Sequence, residues 1–183
     1  MNRQDALTLL REYTKTDSLR KHALAVEAAM RAYATKFGEN EDEWGIVGLL
    51  HDFDYEKYPQ VPDHPMKGQE ILAAKGYADN VRRAIISHVP AMNVPRDSQM
   101  AKTLFGCDEL CGLLVACSVV RPNKISDLEA SSVRKKLKDK AFARTVNRED
   151  IYKGIEEMQV DMNEHIQFVI NALKGVAAEI GVQ

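Results

Sequence analysis

The chain has 183 residues, 45% of them hydrophobic, and a formal net charge of -2. That length fills one good-sized core and leaves little for another, so a single domain over residues 1–183 is expected. The near-neutral balance provides no global positive field for polyanions, which argues against a dedicated nucleic-acid binder.

No apolar stretch reaches the length of a membrane span. The longest, LCGLLVACSVV at 110–120, directly follows Asp108 and Glu109 and reads as a buried helix. The N-terminal MNRQDALTLLREYTK lacks a signal-peptide apolar region, and the odd count of three cysteines, Cys107, Cys111 and Cys117, fits small core residues in a reducing, cytoplasmic setting.

In chain order, residues 18–37 place Leu19, Val26, Met30 and Tyr33 on one helical face, with Asp17 or Ser18 as N-cap and Gly38 as stop. A helix over about 40–52 opens on Asn40 with Glu43 three residues later, in the manner of a capping box. Pro59 and Pro62 break it. Helices over about 64–75, stopped by Gly76, and 78–88, stopped before Pro90, come next. PAMNVPRDS is a loop. A long apolar helix spans about 98–120 and ends at Pro122, a basic helical stretch covers 126–143, and the chain is helical again from Asn147. No period-two alternation is long enough for a strand, so the predicted fold class is all-α.

Several ionisable groups fall on the apolar faces of these helices. His22 lies between Leu19 and Val26, His88 continues Val81, Ala84 and Ile85, and Asp108 belongs to the series Leu104, Asp108, Cys111, Val115. His51 and Asp52 end the run that holds Leu49 and Leu50, and His64 stands at a helix start between Asp63 and Pro65. One histidine on an apolar face is ordinarily a core residue bonded to backbone. Four of the five histidines with two aspartates are different, because buried charges need a partner or a metal. Mixed imidazole and carboxylate ligation suits a divalent transition ion: Fe, Mn, Zn, Ni or Co. The fifth, His165, is expected to be structural or exposed.

In order, His22, the doublet His51-Asp52 and Asp108 resemble the pattern of the HD-domain superfamily of metal-dependent phosphohydrolases, over about residues 18–120. Residues 121–148 and 149–183 would pack on that core. His64 and His88 match the further histidines of subfamilies with two metals. The resemblance implies one or two ions: one on His22, His51, Asp52 and Asp108, and, in the two-metal case, Asp52 bridging to a second held by His64 and His88, which in a one-metal enzyme would instead donate hydrogen bonds to the substrate phosphate. It also implies hydrolysis of a small phosphorylated metabolite or nucleotide by metal-activated water. Asp52 as the bridge and Asp54 are the catalytic candidates, with Asp54 or Glu56 able to orient that water or to act as general acid/base. Two alternatives stand beside hydrolysis. One is a di-iron oxygenase of the same superfamily, separable by its need for oxygen; the other is a non-catalytic metal-stabilised binding or regulatory module, separable by a ligand recovered intact.

Residues 121–148 hold nine Lys or Arg against three Asp or Glu. Such a stretch is either a solvated mixed-charge face or a phosphate-binding rim, for which Arg121 and Lys124 are the candidates and Lys67 and Arg83 weaker ones. Substrate, metal identity and oligomeric state are not encoded in any motif of the chain.

Overall fold

Asn2 opens a helix that the reading above does not include. Its side chain accepts from the Asp5 backbone N–H while the Asp5 carboxylate accepts from the Asn2 N–H, a reciprocal cap. In the computed structural model, which describes residues 1–183, this is α1 (Arg3–Tyr13). It is followed by α2 (Asp17–Phe37), α3 (Glu41–Leu50), α4 (Asp63–Ala74), α5 (Asp79–Ser87), a 3-10 turn at Pro90–Met92, α6 (Gln99–Val119), α7 (Ala130–Lys138), α8 (Arg148–Met158), α9 (Met162–Lys174) and α10 (Ala177–Ile180). There is no strand, and the all-α expectation holds. No helix is long and apolar enough to cross a membrane.

Local chemistry explains most boundaries. Asn40 caps α3 by accepting from the Asp42 and Glu43 N–H groups. The Glu43 carboxylate does not complete the predicted box: it accepts from Asn80 Nδ2 and so ties α3 to α5. Pro65 disfavours helical backbone at the residue before it. His64 is accordingly extended, with φ -83° and ψ 126°, and regular helix begins only after it.

The basic stretch expected to be helical over 126–143 is helical only over Ala130–Lys138. Ahead of it the Ile125 N–H donates to the Val182 carbonyl. Beyond it, Arg148 gathers the chain. Its Nη1 donates to the carbonyls of Ala143 at 3.0 Å and Val146 at 2.9 Å, and its Nη2 to those of Asp139 at 3.3 Å and Phe142. The main chain of 139–146 therefore wraps a guanidinium rather than winding into helix.

A single apolar cluster of 43 buried residues runs from Ala6 to Val182. Within it α2 packs on α3 and α6, and α6 packs on α8. The α2–α3 contact is backbone against backbone at Gly48, where a Cβ would stand 2.8 Å from the Val26 carbonyl oxygen and 2.9 Å from Glu27 Cα. Buried Glu27 on the same stretch of α2 accepts from Arg3 at 2.5 Å and from Arg31 at 3.0 Å, so its charge is answered from two sides.

Candidate metal centre

Five elements each deliver a ligand type to one place. His22 comes from α2, His51 from the C-terminal cap of α3, His64 from the start of α4, His88 from the C-terminal cap of α5, and Asp108 from the middle of α6. They and Asp52 fall into two groups, His22–His51–Asp108 and Asp52–His64–His88, and within each the ligand atoms lie inside 4.8 Å of one another. In the first, His22 Nε2 is 2.9 Å from Asp108 Oδ1 and 3.2 Å from His51 Nε2, and His51 Nε2 is 3.3 Å from Asp108 Oδ1. In the second, Asp52 Oδ1 is 3.1 Å from His88 Nε2 and 3.2 Å from His64 Nε2. The other oxygen of Asp52 lies 3.6 Å from His51 Nε2. Asp52 thus turns one oxygen to each group.

Proton positions decide what this arrangement can hold. His51 Nδ1 lies 2.7 Å from the Gly48 carbonyl, His88 Nδ1 2.5 Å from the Ile85 carbonyl, and His64 Nδ1 2.9 Å from Asp54 Oδ1. Each partner only accepts, so each Nδ1 carries the hydrogen and donates it. In the neutral rings every Nε2 then presents a lone pair, and those lone pairs face the carboxylates of Asp52 and Asp108. Lone pair against carboxylate repels unless a cation lies between. Atoms bound to one transition ion at about 2.1 Å stand about 3.0 Å apart at right angles, which matches the observed separations. Backbone and carboxylate partners on the far ring nitrogen are also what orients a ligating histidine. The residues present fit a metal.

Protons are the competing cation. Burial pulls the His51 imidazole down, but the charges of Asp52 and Asp108 outweigh it and push the ring up to about 9. His64 rises to about 9 against burial in the same way, through Asp52 and Asp54. Asp52 and Asp108 resist the upward pull of burial and sit well below the usual carboxylate range, held there first by the charge of His51. Metal uptake would therefore displace protons from these rings.

The other residues singled out by sequence have partners of their own. Asp54, expected to face a water, is 1% exposed behind His64, with Oδ1 taken by His64 and Oδ2 by the Gly68 N–H at 2.9 Å. Glu56 accepts from the Lys15 and Thr16 N–H groups at the head of α2. Arg121 lies beyond the C-terminus of α6, whose last residue is eleven positions and about 16 Å along the axis from Asp108. It bonds Asp127 there at 2.9 Å, and Lys124 stands in the same turn, so neither rims the centre. Lys67 is one turn after His64 but pairs with Glu70 at 3.1 Å, and Arg83 pairs with Asp97 at 2.8 Å. Glu109 carries no signal in the sequence beyond its place next to Asp108. It accepts from the Asn147 N–H at 2.9 Å, and burial, followed by the Asp108 charge, pushes it up to about 7. The three cysteines are buried and free, as expected of core residues.

His165 stands outside the centre and is buried. Its Nε2 donates to the Gly106 carbonyl at 3.0 Å, so its Nδ1 accepts from the Tyr33 hydroxyl at 2.5 Å. His165→Ala is expected to leave metal content and rate within a few-fold while lowering stability by about 3 kcal/mol, from the cavity and the stranded hydroxyl. Burial also holds this imidazole below the usual histidine range. The unfolded chain takes up that proton near pH 6.5 and the native one does not. The contribution of His165 is thus complete above about pH 6.5 and lost as pH falls below it. His165→Gln should flatten that part of the stability curve, and an unchanged slope would reject the assignment.

A family model described as HD domain matches residues 19–113, just over half of the chain. No curated protein and no solved structure matches it. The matched span takes in His22, His51, Asp52, His64, His88 and Asp108, the six residues whose side chains converge, and the chain belongs to the HD-domain family.

Proposed function

We propose that the chain is a metal-dependent phosphohydrolase acting on a small phosphorylated metabolite or nucleotide. The observation that carries this reading is the pair of adjacent triads with Asp52 turning one oxygen toward each, and the Nε2 atoms of the neutral His51, His64 and His88 rings directed at carboxylates. His22, His51 and Asp108 would hold one divalent transition ion, His64 and His88 a second, and Asp52 would give an oxygen to each. Ions in those places supply a polarised phosphoryl oxygen and a bound water with its pKa brought toward neutrality.

The chain's own side chains do the rest. His51, His64 and His88 are at most 6% exposed and fixed by their Nδ1 bonds, so they present ready-set donors. His22, Asp52 and Asp108 are 21%, 25% and 16% exposed, and substrate would arrive across these three. With Arg121 and Lys67 committed to Asp127 and Glu70, the phosphate charge is answered at the triads rather than by those cations. The free, buried cysteines are in keeping with a reducing, cytoplasmic setting.

The test is a panel of phosphomonoesters, phosphodiesters and nucleotides offered to Mn- or Fe-loaded protein, in air and under argon. Phosphate release undiminished under argon is the expected result. Turnover only in air would establish the di-iron oxygenase instead, and ligands bound but recovered intact would establish a binding module. Ion number is checked in the same samples. Wild-type protein should hold about two ions per chain, His64→Ala or His88→Ala about one, and His22→Ala should disturb the other ion. One ion per chain in wild-type protein under excess Mn or Fe would overturn the two-ion arrangement.

A further inference from the structure

The Asp54 carboxylate occupies a closed slot between two elements. Its backbone is fixed first: the Asp54 carbonyl accepts from the Lys57 and Tyr58 N–H groups, and the preceding Phe53 carbonyl accepts from Thr14 Oγ1 at 2.8 Å, which nails the turn to the end of α1. From that frame the side chain reaches α4. Oδ1 accepts from His64 Nδ1 and Oδ2 from the Gly68 N–H, both at 2.9 Å. Gly68 lies near the start of the regular part of α4, where the helix dipole favours an anion. The slot has no slack, because a Cβ at Gly68 would stand 2.8 Å from Asp54 Cγ.

We propose that Asp54 is a positioning residue for the second ion: by joining His64 Nδ1 to the Gly68 N–H it fixes the His64 tautomer, leaving Nε2 as a bare donor aimed at Asp52. The inference rests on the two-ion reading above and names what sets the affinity of one of those ions. It assigns Asp54 no contact with water or substrate, since each of its oxygens already accepts a hydrogen bond in a buried slot.

Asparagine at this place separates positioning from mere support. Its carbonyl oxygen can accept from the Gly68 N–H while its NH2 donates to His64 Nδ1. That moves the ring proton to Nε2 and blocks the ligand. All hydrogen bonds are then satisfied in the metal-free protein, whose fold should be kept. Asp54→Asn is therefore expected to melt, metal-free, close to wild type, yet to hold about one Mn per chain in equilibrium dialysis where wild type holds two. Asp54→Ala, which removes the acceptor without imposing a donor, should weaken the second ion by about 10- to 100-fold. A simple helix cap would give the reverse pattern, with a lower melting point and two ions at wild-type affinity, and that result overturns the proposal. If Asp54→Asn fails to fold, the Ala variant decides: wild-type affinity for both ions rejects the role.

Long-range nitrogen–proton NMR of the metal-free protein, recorded at a pH where the spectrum itself shows His64 to be neutral, reads the tautomer itself. Nδ1–H in wild type supports the assignment, and Nε2–H in wild type overturns it. Because this measurement uses no metal, failure of wild-type protein to bind two ions would sink the functional reading while the role of Asp54 is still decided.

Discussion

Asp52→Ala is expected to give a folded, helical protein that holds less than about a tenth of an ion per chain and shows no measurable turnover. Asp52 is the side chain that addresses both triads, with Oδ1 within 3.2 Å of His64 and His88 and Oδ2 facing His51. Its loss leaves one carboxylate, Asp108, among four imidazoles. The two rings of the second triad would then have no anionic ligand between them, and two neutral imidazoles hold a divalent ion weakly at best. The fold should survive, because the Nδ1 atoms of His51, His64 and His88 remain bonded to Gly48, Asp54 and Ile85. Elemental analysis paired with circular dichroism checks both halves. Wild-type metal content in this variant would remove the basis for a metal centre at the doublet.

Gly48→Ala should damage the centre from a distance. Alanine is the better helix former, a gain of about 1 kcal/mol in a helix interior. The added Cβ, however, meets the Val26 carbonyl oxygen at 2.8 Å and the Glu27 backbone at 2.9 Å, and backbone inside a helix has little room to give. Overpacking of that kind costs about 3 kcal/mol, so the net loss is about 2 kcal/mol and the melting temperature should drop by about 4–8 °C. Metal affinity should fall with it, since moving α3 off α2 draws His51 away from His22, now 3.2 Å apart. Gly112→Ala is the control: its Cβ meets nothing nearer than Val146 at 3.8 Å, so propensity wins and stability should rise. Equal melting temperatures for Gly48→Ala and wild type would show that the two helices do not depend on this approach.

Most of the six candidate ligands were legible because they sit where an apolar stripe would otherwise place a core side chain, as His22 does between Leu19 and Val26 and Asp108 between Leu104 and Cys111. Helical periodicity carries that information over a few residues. What it does not carry is contact between distant segments. Asp54 stood as a carboxylate for the water because the Gly68 N–H that donates to it is fourteen residues away in the sequence. Arg121 and Lys124 follow α6 in sequence, but a rigid helix carries them away from Asp108 at 1.5 Å per residue. The helix Arg3–Tyr13 is a different case, since Asn2 and Asp5 stand at capping distance in the sequence itself. The basic stretch after Lys138 lost its helix to Arg148, whose grip on main-chain carbonyls leaves no trace in local propensity.

That grip bears on how readily such a protein could change what it acts on. The stretch 139–146 runs on to Asn147, whose N–H meets Glu109 beside the centre. Its path is dictated by one guanidinium acting on carbonyl groups, which every residue type possesses. The exposed side chains Lys140, Arg144 and Thr145 can be exchanged without rewriting that path, whereas Phe142, Ala143 and Val146 pack against the core, so a lineage could vary the outer side of this stretch while the helices of the candidate centre stay as they are.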